Sequence, residues 1–394
     1  MRDLIYLDNA ATTWPKPQEM IDAMAKFYRD YGVNPGRSGY DRALEAEETV
    51  HKCRTSLTKF FNGDDPNRMV FTYNATDSLN QVIQGVLWKG GHAVSTTLEH
   101  NSVLRPLYHL SMRDDVDTTY VQFDSHGFID PDDIRKAIRH DTKLVIVNHA
   151  SNVIGTCQPI REIGEICHER GVFFAIDASQ SAGVVPIDMK AMNVDAVCFT
   201  GHKSLFGPTG IGGICVREGA EIFNTRWGGT GVKSAQRTHL EEYPYRLEAG
   251  TLNTIGIAGL LAGQDFIESR GGAKGIYEHE MKLMKRLWNG FREIDRVILY
   301  CAETLDNHIP VLSMNIDGFE AGNTGTMLDV DYNVATRTGL HCAPLVHEGI
   351  GTMQIHGTVR FAIGPYNTEE DIDAAIHGIK EIARMSLKWS SNSH

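Results

Sequence analysis

Runs of β-branched and aromatic residues recur along the first half of the chain, at RMVFTY (68–73), HAVST (92–96), VDTTYVQF (116–123), TKLVIVNH (142–149), VFFAID (172–177) and VDAVCFT (194–200). Runs of this kind read as buried strands. Helix-like segments separate most of them, and that alternation predicts an α/β fold: a mostly parallel sheet with helices on both faces. Beyond Asn253 the pattern changes to two long helical stretches, 255–269 and 274–294, divided by the Gly-Gly pair at 271–272. The second carries Ile276, Met281, Met284, Leu287, Trp288 and Phe291 as its apolar positions. Shorter strand runs follow at VILYC, PVLSMNI and TVRFAIG. A last helix opens with Thr368 and Asp371 in capping-box spacing, and Ile372, Ile376, Ile379 and Ala383 make its core stripe. This end reads as a smaller α+β domain, with the tail 388–394, KWSSNSH, unpacked.

Open α/β sheets bind ligands at the carboxyl ends of their strands. Polar residues follow the strand runs there: Asn74-Ala75-Thr76-Asp77, Glu99-His100-Asn101, Asn148-His149 with Asn152, Asp177-Ala178-Ser179-Gln180 and Thr200-Gly201-His202-Lys203. Asn74 and Ser179 equally suit a helix cap or a turn. Five clusters on one edge point to a site. Lys203 lies in CFTGHKSLFGPTGIGG (198–213), between an apolar strand and a glycine-rich turn that aims it from the strand end. Lys203, Asp177 and a phosphate-binding turn together suggest pyridoxal 5′-phosphate (PLP). That cofactor needs a lysine to form an imine, a carboxylate beside its pyridine nitrogen and anion ligands for its phosphate. Gln180 suits its phenolic oxygen and His100 its ring face. Thr76 and the first N–H groups of the helix that follows suit the phosphate, with Thr200 and His202 as further donors.

Length and charge narrow the partners. At 394 residues more than one domain is expected. A net charge of −12 with no basic block argues against nucleic acid or an anionic membrane surface, so the substrate is expected to be small. The stretch IGIAGLLAG (255–263) is far short of the ~18 apolar residues of a membrane span. The start, MRDLIYLDNAATTW, has acids where a signal peptide needs an apolar core, and a cytoplasmic location is expected. Seven cysteines without a C-x-x-C indicate neither a disulfide framework nor a zinc site, and no metal is expected. Cys167, Cys198 and Cys215 fall in apolar runs and read as packing residues. Cys342 differs. It precedes Ala343-Pro344, where proline suits a first helical turn, so a helix N-terminus and Arg337 would favour its thiolate.

Ten motifs carry a resemblance running nearly end to end: YLDNAATTWPKP (6–17), NPGRSGYDRALEAEE (34–48), FTYNATDSLN (71–80), LEHNS (98–102), NHASNVIGT (148–156), AIDASQSAG (175–183), TGHKSLFGPTGIG (200–212), RLEAGTLN (246–253), ATRTGLHCAP (335–344) and VRFAIGPYNTEED (359–371). The chain resembles the class V aminotransferase family of fold-type I PLP enzymes, and within it the cysteine desulfurases and selenocysteine lyases of the short-loop R-T-G-x-H-C group. That resemblance implies a large domain with a seven-stranded, mostly parallel sheet over 16–255, a smaller domain over 256–394 carrying the catalytic-cysteine loop, and an N-terminal segment, 1–15, packed with the smaller one. It implies PLP on Lys203, with Ala75, Thr76, His100, Asn152, Asp177, Gln180, Thr200 and His202 around it. It also implies a homodimer, in which Thr251 reaches the partner's phosphate. Arg360 and Asn152 would hold the substrate α-carboxylate. The implied reaction has L-cysteine displace Lys203, Lys203 move the α-proton, and the Cys342 thiolate attack the γ-sulfur. L-Alanine leaves, and the Cys342 persulfide passes to an acceptor protein or small thiol. Selenocysteine or cysteine sulfinate are the alternative substrates, and a class V aminotransferase is the less favoured reading. Leu340 and Asn101 depart from the pattern where histidines are common, which bears on sulfur handling and not on the cofactor site.

Overall fold

The computed structural model describes residues 4–35, 40–113 and 116–391, with side chains through Ser386. Residues 36–39 of the second motif and 392–394 of the tail lie outside the described residues. The larger sheet has seven strands, in the order Met69–Thr72, Gly212–Val216, Ala196–Thr200, Phe173–Asp177, Thr142–Asn148, Gly91–Thr96 and Val116–Val121. All pair in parallel except Gly212–Val216, which is antiparallel to both neighbours. That strand was absent from the list of expected runs, because two of its five residues are glycines, which carry no β signal. The glycines are there for packing. A Cβ on Gly213 would stand 2.5 Å from the Phe199 ring.

Strands buried on both faces favour apolar residues pointing both ways, and the central strands Thr142–Asn148, Phe173–Asp177 and Ala196–Thr200 carry them along most of their length. Val145, Val147, Phe174, Ile176, Val197 and Phe199 pack on one side with Leu57 and Ile163, from the helices Asp41–Phe60 and Ile160–Arg170. Leu144, Ile146, Ala175, Ala196 and Cys198 face the other side, against Leu79 and Val103 of the helices Ala75–Val86 and Asn101–Met112.

A second, antiparallel sheet has the order Arg337–Gly339, Thr358–Ala362, Val311–Ile316, Val297–Leu299. Its own apolar cluster joins Leu312 and Phe361 to Leu287, Phe291, Leu328 and Ile379 of the helices Gly272–Arg292, Ala321–Tyr332 and Glu369–Ser391. The last helix continues to Ser391, so the tail expected to be unpacked from 388 is helical backbone for most of its length. Among the described residues no helix is long and apolar enough to cross a membrane.

The N-terminal segment touches both sheets. Ile5–Tyr6 pairs in parallel with Val334–Ala335, and Asp8 bridges to Ala362. Farther on, Ala10 O accepts from Gln180 Nε2 at 2.9 Å, and His202 O accepts from Thr12 Oγ1 at 3.0 Å.

Two buried carboxylates bind the layers. Glu248 accepts both outer nitrogens of Arg54, at 2.7 and 2.6 Å, and also the backbone N–H of Phe71 at 2.7 Å. Glu99 is fully buried. Its Oε1 accepts from Thr96 Oγ1 at 2.7 Å and from the Asn148 N–H at 2.9 Å, joining two strand ends, while its Oε2 has no partner. Burial pushes its carboxyl up to about 8.

Replacing Glu248 by Ala strands a buried guanidinium and is expected to cost about 3–5 kcal/mol, read as a lower urea midpoint. Glu99 makes stability fall with pH. Between its ordinary value of 4.5 and about 8 the folded chain keeps a proton that the unfolded chain has released. Glu99→Gln should therefore gain on the unaltered protein by up to about 1.4 kcal/mol per pH unit across that window. Urea titrations at three pH values read the gap, and a pH-independent gap would mean that Glu99 is ionised in the fold.

Candidate active site

Asp177 and Lys203 come together because their strands are neighbours. Phe173–Asp177 pairs with Ala196–Thr200 in a register that sets Asp177 beside Cys198, and the chain then turns through 201–211 into the antiparallel strand. Within that turn Gly207 N–H donates to Gly201 O at 2.8 Å and Phe206 N–H to Lys203 O at 2.9 Å. The segment after Asp177 packs directly on the turn. Gly183, at φ +98°, lies so close that a Cβ there would stand 1.8 Å from Ser204 O.

Lys203 opens into a cavity of about 210 Å³. Burial lowers its amine to about 8; Asp177 pulls it upward, and Arg360 and Arg337 push it down. Asp177 Oδ1 accepts from the Ser179 N–H at 2.9 Å and from its hydroxyl, which leaves the other carboxylate oxygen without a hydrogen-bond donor among the described residues. Ala75, Thr76, His100, Asn152, Gln180, Thr200, His202 and Arg360 line the same cavity, as the motifs imply. Thr251 does not. It lies with Tyr73 and Arg226 in a separate depression of the surface.

The donor set fits PLP. At one end, the N-terminus of the helix Ala75–Val86 and the buried Thr200 hydroxyl, which has no partner, offer anion donors. An amine and a carboxylate from neighbouring strands face the middle. His100 Nδ1 accepts from the Ser102 N–H at 3.0 Å, so the neutral ring carries its proton on Nε2. Burial holds this imidazole down at about 4, which keeps it neutral. Ser102 Oγ also meets Thr76 Oγ1 at 2.7 Å. Neither Ser102 nor Ala10 and Ala11, which also line the cavity, was assigned a role from the sequence. The signal was there, in LEHNS and YLDNAATTWPKP, but small residues in a motif name no chemistry.

Arg360 is 1% exposed and already engaged. Its Nη2 meets Asp8 Oδ1 at 2.6 Å and its Nη1 donates to Asn152 O at 3.0 Å, leaving Nε without a partner. Asp8 is the neighbour that the sequence reading missed. Gln180 and Asn152 are likewise turned to the protein: Gln180 Nε2 donates to Ala10 O, and Asn152 Nδ2 donates to His341 O at 2.7 Å.

That last bond helps hold an unusual pair. His341 and Cys342 both have left-handed backbone, at φ +48° and +60°, a conformation that costs ordinary residues of the order of 1 kcal/mol or more each. The Cys342 carbonyl is held by the Asn101 N–H at 2.8 Å. The turn separates the two side chains. His341 lines the Lys203 cavity, whereas Cys342 lines an adjoining outer one, with Arg337 Nη2 at 3.5 Å from its sulfur. The ring nitrogens of His341 and His347 that bond do so to Thr358 and Thr352, and among the described residues no group of His, Cys, Asp or Glu is placed to hold a metal. Of the seven cysteines only Cys342 is exposed. Burial raises the other six thiols above their ordinary value, away from the reactive thiolate.

Comparison with known proteins agrees over the full length. The family model for aminotransferase class-V matches residues 5–375. A probable cysteine desulfurase of Methanothermobacter thermautotrophicus is 34% identical over 390 residues, covering 98% of this chain and 96% of that protein. A cysteine desulfurase IscS of Clostridium botulinum is 32% identical over 410 residues, covering 99% and 97%. The apo structure of a cysteine desulfurase from Thermococcus onnurineus NA1 superposes with a TM-score of 0.90 at 33% identity, covering 97% of this chain and 95% of that one. The architecture is that of a fold-type I PLP enzyme, and the chain belongs to the class V aminotransferase family.

Proposed function

We propose that the chain is a PLP-dependent cysteine desulfurase, converting L-cysteine to L-alanine with the sulfur held as a persulfide on Cys342. The observation that carries this reading is the pairing of the Lys203 cavity with the one exposed thiol of seven, set against Arg337 at the cavity's outer neighbour. The names of the relatives, cysteine desulfurase in each case, support it.

In this reading Lys203 holds PLP, Asp177 meets its ring nitrogen, Gln180 its phenolic oxygen, His100 its ring face, and Thr76, Thr200 and His202 its phosphate. When bound, PLP supplies a protonated ring that draws electron density from the substrate's α-carbon. Arg360, with Asn152 beside it, takes the α-carboxylate, a task suited to its unpartnered Nε and fixed guanidinium. Lys203 Nζ, its proton affinity lowered by burial, accepts the α-proton. The Cys342 thiolate attacks the substrate γ-sulfur. The new S–S bond forms as the Cβ–Sγ bond breaks, and that carbon is protonated before alanine leaves. His100, neutral through the working pH range, holds a proton on Nε2 within the same wall.

The proposal extends to assembly. Thr251, outside its own chain's Lys203 cavity, serves the phosphate of a partner in a homodimer, and the units 1–15, 16–255 and 256–394 act as strap, cofactor domain and cysteine-bearing domain.

Lys203→Ala should lower cysteine turnover by at least about 100-fold and abolish borohydride fixation of added PLP at that position. Cys342→Ser should lose alanine formation from L-cysteine while keeping elimination from selenocysteine or cysteine sulfinate, measured by product analysis. Unchanged turnover of L-cysteine by Cys342→Ser would remove the persulfide step and favour a lyase for those analogues.

A further inference from the structure

The outer cavity holds about 400 Å³ and shares Thr76, His100 and Ser102 with the Lys203 cavity. Cys342 lines it. One wall is a single face of the helix Asn101–Met112, where Arg105, His109 and, just past the helix, Arg113 recur every fourth residue. Pro106 and Leu110, both partly buried, add apolar surface between them. Some surface arginines elsewhere are neutralised by acids: Arg135 by Glu169, Arg139 by Asp117, Arg286 by Asp373. In a chain of net charge −12, Arg105 and Arg113 have no carboxylate partner among the described residues, so their charge faces the cavity unneutralised. The charge of Arg105 is felt inside, where it helps hold the His100 imidazole down, and Arg337 adds a third guanidinium beside the Cys342 sulfur.

We infer that this cavity is the acceptor site for a small thiol bearing carboxylates, which collects the sulfur from Cys342. The inference rests on the desulfurase reading above. Its volume lies in the range of small-ligand pockets, roughly 300–1,000 Å³, too small for a folded partner to enter. Its charge selects an anion, and its apolar floor accommodates a short carbon chain. In the transfer, the acceptor thiolate attacks the outer sulfur of the persulfide. The bond from that sulfur to Cys342 Sγ breaks, and its electron pair stays on Sγ. A new S–S bond forms on the acceptor, one thiolate replaces another, and no external oxidant or reductant enters.

The test uses the full-length protein with PLP, L-cysteine and two probes, mercaptosuccinate and 2-mercaptoethanol, compared at equal thiolate concentration. A single turnover without thiol first reads alanine against enzyme; its absence would sink the desulfurase reading and this inference with it. With the alanine formed, steady-state rates decide the acceptor site alone. Mercaptosuccinate should saturate, with a half-saturating concentration about tenfold below that of 2-mercaptoethanol. The double variant Arg105→Gln, Arg113→Gln should raise that value about tenfold while moving the neutral thiol less than about twofold. Salt near 1 M should shrink the preference, because these charges are exposed and screened. Equal efficiency of the two thiols, a preference surviving in the double variant, or rates that rise linearly with every small thiol would overturn it. The last result would leave the cavity to the cysteine of a protein acceptor.

Discussion

The parallel pairing of Phe173–Asp177 with Ala196–Thr200 is the constraint on which the rest of the site depends. It sets a carboxylate at one strand end and, one turn beyond the next, an amine. Opposite charges placed this way stabilise each other, yet burial works against the amine more strongly and lowers Lys203 to about 8. The antiparallel return through Gly212–Val216 makes the lysine turn short and well bonded. The close approach of Gly183 to Ser204 O then fixes how the aspartate segment sits on it.

Around that pair the two sheets are joined by side chains that the proposed substrate and sulfur steps also use. Arg360, on the smaller sheet, bonds Asp8 of the N-terminal segment and the carbonyl of Asn152, from the loop after a strand of the larger one. Asn152 in turn holds His341 O, and Asn101 holds Cys342 O. The left-handed pair His341–Cys342 is thus pinned from the larger unit although its chain belongs to the smaller. Its effect is to divide the two residues between two cavities.

Burial sets one thiol apart from the other six. Six cysteines are partly or fully buried, which penalises the thiolate, and the seventh is exposed beside an arginine. The spacing of cysteines carries no trace of this difference.

Much of the fold could be read from periodicity, because strands buried on both faces show as unbroken apolar runs and an amphipathic helix shows its stripe. Six of the seven strands of the larger sheet were visible that way; the glycine-led strand was not, since its residues were chosen for what lies across from them. The residues of the site were legible as polar clusters at strand ends, and the motifs singled out Lys203, Asp177, Arg360 and Cys342. By itself, then, the sequence determined the chemical inventory and the layer order, which depend on local pattern. Tertiary structure alone decided that Asp8 holds Arg360, that Gln180 and Asn152 turn to backbone carbonyls, that Thr251 lies apart, and that Cys342 faces the cavity outside. These depend on distances between segments remote in the chain, set by strand register and packing, to which no local pattern is sensitive.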